Sequence, residues 1–197
     1  ILATAALAHD LGNPPLGHSG EDPVRHWFTT SPAAKSARTA LRDSQFFADF
    51  EHWEGNAQGF RILTRLQLYR SDGGMRLTYA TLGAFTKYPC ESSAMSRPRE
   101  GRPTSQKKFG FFQTEASLFD EVALATGLLP RPDTVRAWAR HPLAFLMEAA
   151  DDLCYRIVDF EDGFRLGRLN YEEVERQLRR LTPKVPDGRL AQQGGES

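Results

Sequence analysis

With 197 residues, 25 of them Lys or Arg and 25 Asp or Glu, the chain is long enough to bury a core of its own and has no net charge that would advertise nucleic acid or membrane as its main partner. Its two cysteines, Cys90 and Cys154, show neither CxxC nor Cys/His spacing, which argues against a disulfide framework and sets the expectation of a reducing, cytoplasmic setting. No apolar run approaches the roughly 20 residues of a membrane span, and residues 1–8 lack the charged start of a signal peptide, so no membrane partner is expected.

Taken in order, residues 1–9 are rich in Ala and Leu, which favour helix, and Gly12, Pro14 and Pro15 stop that helix within a turn of His9-Asp10. This adjacent pair can offer one nitrogen and one oxygen to a divalent cation. The Gly/Pro turn can bring His18 and Glu21 back beside it. Ser19 is expected to cap the next helix, with Glu21 and Asp22 in its first turn, Pro23 where a missing N–H costs little, and His18 just outside the cap. Residues 29–49 read as loop with short helical pieces, anchored by Phe46, Phe47 and Phe50 and free of evident chemistry.

The string His52-Trp53-Glu54-Gly55-Asn56-Ala57-Gln58 opens a helix whose apolar residues Phe60, Leu63, Leu66 and Tyr69 recur at three- and four-residue spacing, until Asp72-Gly73-Gly74 ends it. Asn56 and Gln58 fall at its start, where amides and free N–H groups can meet an anion. Residues 75–88 read as another helix, closed by Lys87-Tyr88-Pro89 because the residue before a proline avoids the helical region. Residues 91–108 form a basic loop with Arg97, Arg99, Arg102, Lys107 and Lys108. Residues 111–129 carry a packing helix ended by Gly127 and Pro130.

A helix from His141-Pro142 to about Phe160 follows. At about 100° per residue, Met147, Ala150, Cys154, Ile157 and Val158 form its apolar stripe, while Asp151, Tyr155 and Asp159, spaced by fours, line one edge. At 1.5 Å per residue Asp151 and Asp159 lie about 12 Å apart, about the reach from a nucleotide's phosphate to the far side of its sugar. Asn170 with Glu173 reads as a capping-box variant opening a charged amphipathic helix over 171–181. Residues 182–197 are Gly, Gln and Pro-rich and expected to be a disordered tail after a single domain at 1–181.

The string His9-Asp10-Leu11-Gly12-Asn13-Pro14-Pro15-Leu16-Gly17-His18-Ser19-Gly20-Glu21 resembles the HD-domain metallohydrolases, and among them the bacterial deoxynucleoside triphosphate triphosphohydrolases of the dGTPase type. Glu54-Gly55-Asn56-Ala57-Gln58 and Lys87-Tyr88 extend the likeness. The resemblance implies an all-α fold, a helical bundle around a metal site. It implies hydrolysis of a deoxynucleoside triphosphate, dGTP in the family's name, at the α-phosphorus to deoxynucleoside and inorganic triphosphate. By the same resemblance His9, Asp10 and Asp151 are metal ligands, with Mn²⁺ or Mg²⁺ the expected cation; His18, oriented by Glu21, is the candidate for proton transfer because imidazole is the side chain suited to it near neutral pH. Asn56, Lys87, Tyr88 and Lys108 then contact the phosphate chain, and Tyr155 and Asp159 the deoxyribose.

The family's metal site has a further His upstream of the His-Asp pair, and residues 1–8 contain none. The chain is therefore expected to be an internal fragment carrying three of four ligands, poorly metallated and nearly inactive alone, with the full-length form a homo-oligomer. A single-stranded DNA effector is left open. Two other readings stand beside this one: an HD phosphodiesterase acting on another nucleotide, which would keep the metal but not need the phosphate and sugar set, and a non-catalytic regulatory subunit.

Overall fold

The computed structural model describes residues 1–41, 46–68, 74–96, 103–132, 134 and 136–181. Its helices are α1 (Leu2–Ala8), α2 (His18–Thr30), α3 (Lys35–Leu41), α4 (Phe47–Glu51), α5 (Gly55–Arg61), α6 (Tyr79–Phe85), α7 (Ala116–Thr126), α8 (Pro142–Arg165) and α9 (Tyr171–Leu181). Short 3₁₀ turns and a π-turn at Ile62–Leu66 join or extend them. The fold is all-α. Among the described residues β-structure is limited to isolated bridges, Cys90 with Ala137, Glu91 with Phe111 and Pro130 with Trp138. No helix of the described residues is long and apolar enough to cross a membrane.

The chain divides into two compact units, Ile1–Ala149 and Ala150–Ser197, with the boundary inside α8. In the first, one core joins Ala5 and Ala8 of α1 to Phe60 and Leu63 after α5, Leu82 and Phe85 of α6, Phe119 and Val122 of α7, and Met147 at the start of α8. Phe111 and Phe119 stack with centroids 4.3 Å apart. Burying each such ring contributes about 1.5–3 kcal/mol, enough to hold short helices that would not persist alone. A second cluster joins Ala57 of α5 to Cys90, Ala94, Phe109, Phe112 and Ala137. Helix α5 thus contributes to both clusters, Phe60 to the first and Ala57 to the second.

Several local expectations are corrected. Helix α2 begins at His18 with Gly17 as its N-cap and no side-chain cap, so Ser19 does not cap it and Pro23 lies in its second turn. Leu66 is half exposed, because the π-turn and the extended residue Gln67 take it off the packed face. Helix α6 occupies only Tyr79–Phe85, opened by the Thr78 side chain. Helix α8 runs on to Arg165, and only Met147 of its expected apolar stripe is buried; Cys154, Ile157 and Val158 are exposed. In the second unit, Asn170 Oδ1 accepts the Glu173 backbone N–H at 2.9 Å, so the expected cap opens α9. Tyr69, Asp72, Gly73, Arg97, Arg99, Arg102 and the tail 182–197 lie outside the described residues.

Candidate active site

The two strings singled out in the sequence meet backbone to backbone. Gly12, at φ 98°, approaches so closely that a Cβ there would stand 2.2 Å from the Gly59 nitrogen, and a Cβ on Gly59 would stand 2.1 Å from the Leu11 carbonyl oxygen. Only hydrogen fits at either position. The loop after α1 is thereby pressed onto the first turns of α5. Leu16, at φ 68°, and Gly17, at φ 57°, then turn the chain into α2. The left-handed conformation at Leu16 costs roughly 1–3 kcal/mol, a strain that persists only where surrounding structure imposes it.

His9 forms the C-cap of α1. Its Nδ1 lies 2.6 Å from the Ala6 carbonyl oxygen, which can only accept, so Nδ1 carries the proton. That leaves Nε2 with its lone pair 3.3 Å from Asp10 Oδ2. A ring N–H anchored on a backbone carbonyl is the usual support of a metal-bound histidine. The 3.3 Å gap is about the spacing of two neighbouring ligands on one cation with bonds of about 2.1 Å. The pair therefore fits a divalent cation as two donors. Among the described residues no group of three or more His, Cys, Asp and Glu is gathered to hold one.

Asn13 ties this pair to the next group. Its Nδ2 donates to Asp10 Oδ1 at 2.9 Å, and its Oδ1 lies where a Cβ on Gly55 would be only 2.8 Å away. Beside Gly55 are two buried carboxylates, Glu21 and Glu54, each 2 % exposed. Glu21 Oε1 accepts the Gly55 N–H at 3.2 Å and stands 3.2 Å from His18 Nδ1. Arg25 Nη2 donates to Glu21 Oε2 at 3.0 Å and to Glu54 Oε1 at 2.8 Å, while its Nε holds the Trp53 carbonyl at 2.8 Å. Lys108 Nζ lies 3.1 Å from Glu21 Oε2, 3.0 Å from Glu54 Oε1 and 3.2 Å from His18 Nδ1. Asn56 Nδ2 donates to Glu54 Oε2 at 3.0 Å.

Two anions and two cations thus form a balanced knot, which is how charges are tolerated in an interior. Burial alone would push the Glu21 carboxyl up, but the hydrogen bond and charge of Lys108, with help from Gly55 and His18, hold it below its ordinary value. Burial and the negative charge of Glu21 leave Glu54 above its ordinary value despite Lys108. Lys108 is desolvated, which disfavours its charge, yet Glu54 and Glu21 together raise its pKa.

The structure therefore brings His18, Glu21 and Lys108 together and attaches Asn56 through Glu54. Lys87 and Tyr88 follow the end of α6, both half buried, with the Arg140 guanidinium 5.5 Å from the centre of the Tyr88 ring. Burial raises the Tyr88 hydroxyl pKa. Asp151, Tyr155 and Asp159 belong to the second unit, where Asp151 is half buried and the other two are exposed.

Arg25, Glu54 and Asn13 were missed in the sequence reading. Arg25 could have been found four residues after Glu21 on one helix face, and Glu54 opens the very string in which Asn56 was noted. Asp49, placed in a segment read as without chemistry, is buried and accepts the Ser92 hydroxyl at 2.5 Å and the Gln113 N–H at 3.2 Å.

No family model matches the chain. It is 53 % identical over 92 % of its length to a deoxyguanosinetriphosphate triphosphohydrolase-like protein of Synechocystis sp., covering 41 % of that protein. It is 49 % identical over 90 % of its length to one of Pseudomonas aeruginosa, covering 38 %. With the deoxyguanosinetriphosphate triphosphohydrolase of Serratia proteamaculans it shares 30 % identity over 96 % of its length, covering 39 %. The chain spans about two fifths of the length of the curated relatives it matches. Over about nine tenths of its length the chain is thus similar to proteins named deoxyguanosinetriphosphate triphosphohydrolase-like.

Proposed function

We propose that these residues serve a metal-dependent triphosphohydrolase that converts a deoxynucleoside triphosphate to deoxynucleoside and inorganic triphosphate. The observation that carries the reading is the convergence of His18 and Lys108 on the buried carboxylate of Glu21. A proton-transfer ring, its orienting carboxylate and a cation for phosphate charge stand within one hydrogen-bonding distance of each other.

Glu21 is fixed by Gly55 and Arg25, so it can orient the His18 ring without moving. The ring itself is 68 % exposed at its side chain, open to a substrate. Lys108, drawn toward an arriving polyphosphate, would leave Glu21 and Glu54 neutralised in part by Arg25. His9 and Asp10 would hold a divalent cation, Mn²⁺ or Mg²⁺, which when bound supplies polarisation of a phosphoryl oxygen and acidification of water. Asp151 as third ligand, Tyr155 and Asp159 as sugar contacts, and Lys87 and Tyr88 as phosphate contacts rest on the family resemblance.

The test is to incubate the full-length protein separately with the four deoxynucleoside triphosphates and Mn²⁺ or Mg²⁺ and to identify the products. Deoxynucleoside with intact inorganic triphosphate is the expected result. Release of orthophosphate or pyrophosphate, or no turnover of any of the four, would overturn the reading.

A further inference from the structure

A second group of cations lies outside the His18, Glu21 and Lys108 knot and shares no residue with it. The Arg140 side chain is 8 % exposed, and its Nη1 is paired with Glu148 Oε2. The guanidinium is held between two rings, 5.5 Å from the centre of Tyr88 and 5.6 Å from that of Phe145. Its Nε and Nη2 are buried and have no hydrogen-bond partner among the described residues, and the same is true of the Ser105 hydroxyl oxygen. An unmet buried donor costs about 1–3 kcal/mol, more for a charged group, so three of them in one place require a reason.

Arg140 and Ser105 both belong to the lining of one cavity of about 230 Å³, together with Pro103, Thr104, Arg131, Ala139 and Phe145. Arg131 is exposed. The unmet edge of Arg140, Nε with Nη2, is the forked pair of donors that matches two oxygens of one oxyanion. Ser105 and Thr104 add hydroxyls and Arg131 a second positive charge. Among the described residues the lining includes no carboxylate.

From this we infer that the cavity is a binding site for a phosphate group. Two guanidinium groups and two hydroxyls offer more donors than the two oxygens of a carboxylate can use, and a phosphate presents three or four acceptors. At about 230 Å³ the cavity falls below the about 300–1,000 Å³ of whole small-molecule sites, so it takes a phosphate or a short polyphosphate end and leaves any attached nucleoside outside. The inference does not depend on the hydrolytic reading above. Its donors are a separate set, and its test needs no turnover.

The Arg140 Nε–H resonance reports on the site directly. Titration of the full-length protein with inorganic phosphate, pyrophosphate, inorganic triphosphate and a deoxynucleoside triphosphate, with acetate and chloride as controls, should move that resonance saturably for the phosphates and not for the controls. Tighter binding of the nucleotide than of inorganic triphosphate identifies the ligand as a nucleotide tail; equal binding identifies a free oxyanion. Ser105→Ala and Arg131→Ala should each weaken binding about tenfold, the scale of one charge-assisted hydrogen bond, with unchanged thermal unfolding. Both are milder than any change at Arg140 and keep the test open if Arg140→Gln fails to fold. Lys108→Met should leave the titration unchanged. A resonance that stays still, a shift that grows linearly without saturating, an equal response to acetate, or wild-type affinity in both variants would each overturn the proposal.

Discussion

Lys108 Nζ stands 3.2 Å from His18 Nδ1, the same ring nitrogen that stands 3.2 Å from Glu21 Oε1. One nitrogen cannot serve both partners. When Lys108 donates to Nδ1, that nitrogen is the acceptor and the proton sits on Nε2; when Lys108 withdraws, Nδ1 can carry the proton and donate it to Glu21, which frees Nε2 to take one. The position of a lysine ammonium therefore sets which ring nitrogen is available for proton transfer. On the proposed function, a polyphosphate that attracts Lys108 would change the tautomer open to His18.

His18→Ala should lower kcat by about 10²–10⁴, the usual scale of a positioned proton-transfer group, while leaving stability within about 0.5 kcal/mol because the side chain is mostly exposed. Turnover of a deoxynucleoside triphosphate and urea unfolding measure the two effects separately. Normal turnover would make the ring a structural feature only.

Lys108→Met removes one cation from between two buried carboxylates and keeps the apolar stem. Uncompensated buried charge costs about 3–5 kcal/mol, so a loss near the lower end is expected at neutral pH, where Arg25 still neutralises part of the charge. The loss should shrink in mild acid, because Glu54, already held above its ordinary value by burial, can then take up a proton. A pH-independent loss in urea unfolding would contradict the knot as the cause.

Glu21 and Glu54 also give the parent chain a two-sided acid profile. Glu54 binds its proton more readily folded than unfolded, so its contribution should rise as pH falls through its raised folded pKa toward 4.5. Glu21, held below its ordinary 4.5, contributes stability that is present above 4.5 and lost as pH falls through its folded pKa. Urea unfolding from about pH 7 to about pH 3 should show both limbs, and Glu21→Gln should remove the steep acid one. An acid limb of the same steepness in that variant would locate the sensitive carboxylate elsewhere.

Gly12→Ala should destabilise by about 3–5 kcal/mol, the sum of left-handed strain and overpacking against Gly59. Thermal unfolding is the measurement. A melting temperature within a degree or two of the parent would mean that the loop can lift from α5 without cost, and that the two strings are not locked together.

Asp10→Asn or His9→Ala should weaken Mn²⁺ binding in calorimetry of the full-length protein by at least an order of magnitude, since each removes one of two donors 3.3 Å apart. Asp10→Asn should leave the fold intact, because the carboxylate is exposed. Undiminished affinity in both would remove this pair from the metal site.

The helical class, the stop after His9 and the closeness of His18 to Glu21 were legible in the chain itself. They rest on local chemistry: Ala and Leu favour helix, Gly and Pro end it, and a short Gly/Pro turn keeps its flanking residues near one another; that His18 is the first residue of α2 and not outside its cap is a finding of the structure. The cap at Asn170 followed from the same short-range rule. What the pattern could not show was that Lys108, 87 residues from Glu21, returns to it through a segment with no periodicity. Nor could it show that Glu54, 33 residues beyond Glu21 in the chain, shares Arg25 and Lys108 with it. Those partners are chosen by packing. Gly12 and Gly59 bring two backbones within touching distance, the two apolar clusters that α5 joins hold them there, and burial forbids any carboxylate at that point to stand without a cation. Spacing along a sequence determines which side chains share a face; only the tertiary structure decides which faces meet, because the energy that joins them is non-local and comes from apolar surface and charge removed together from water.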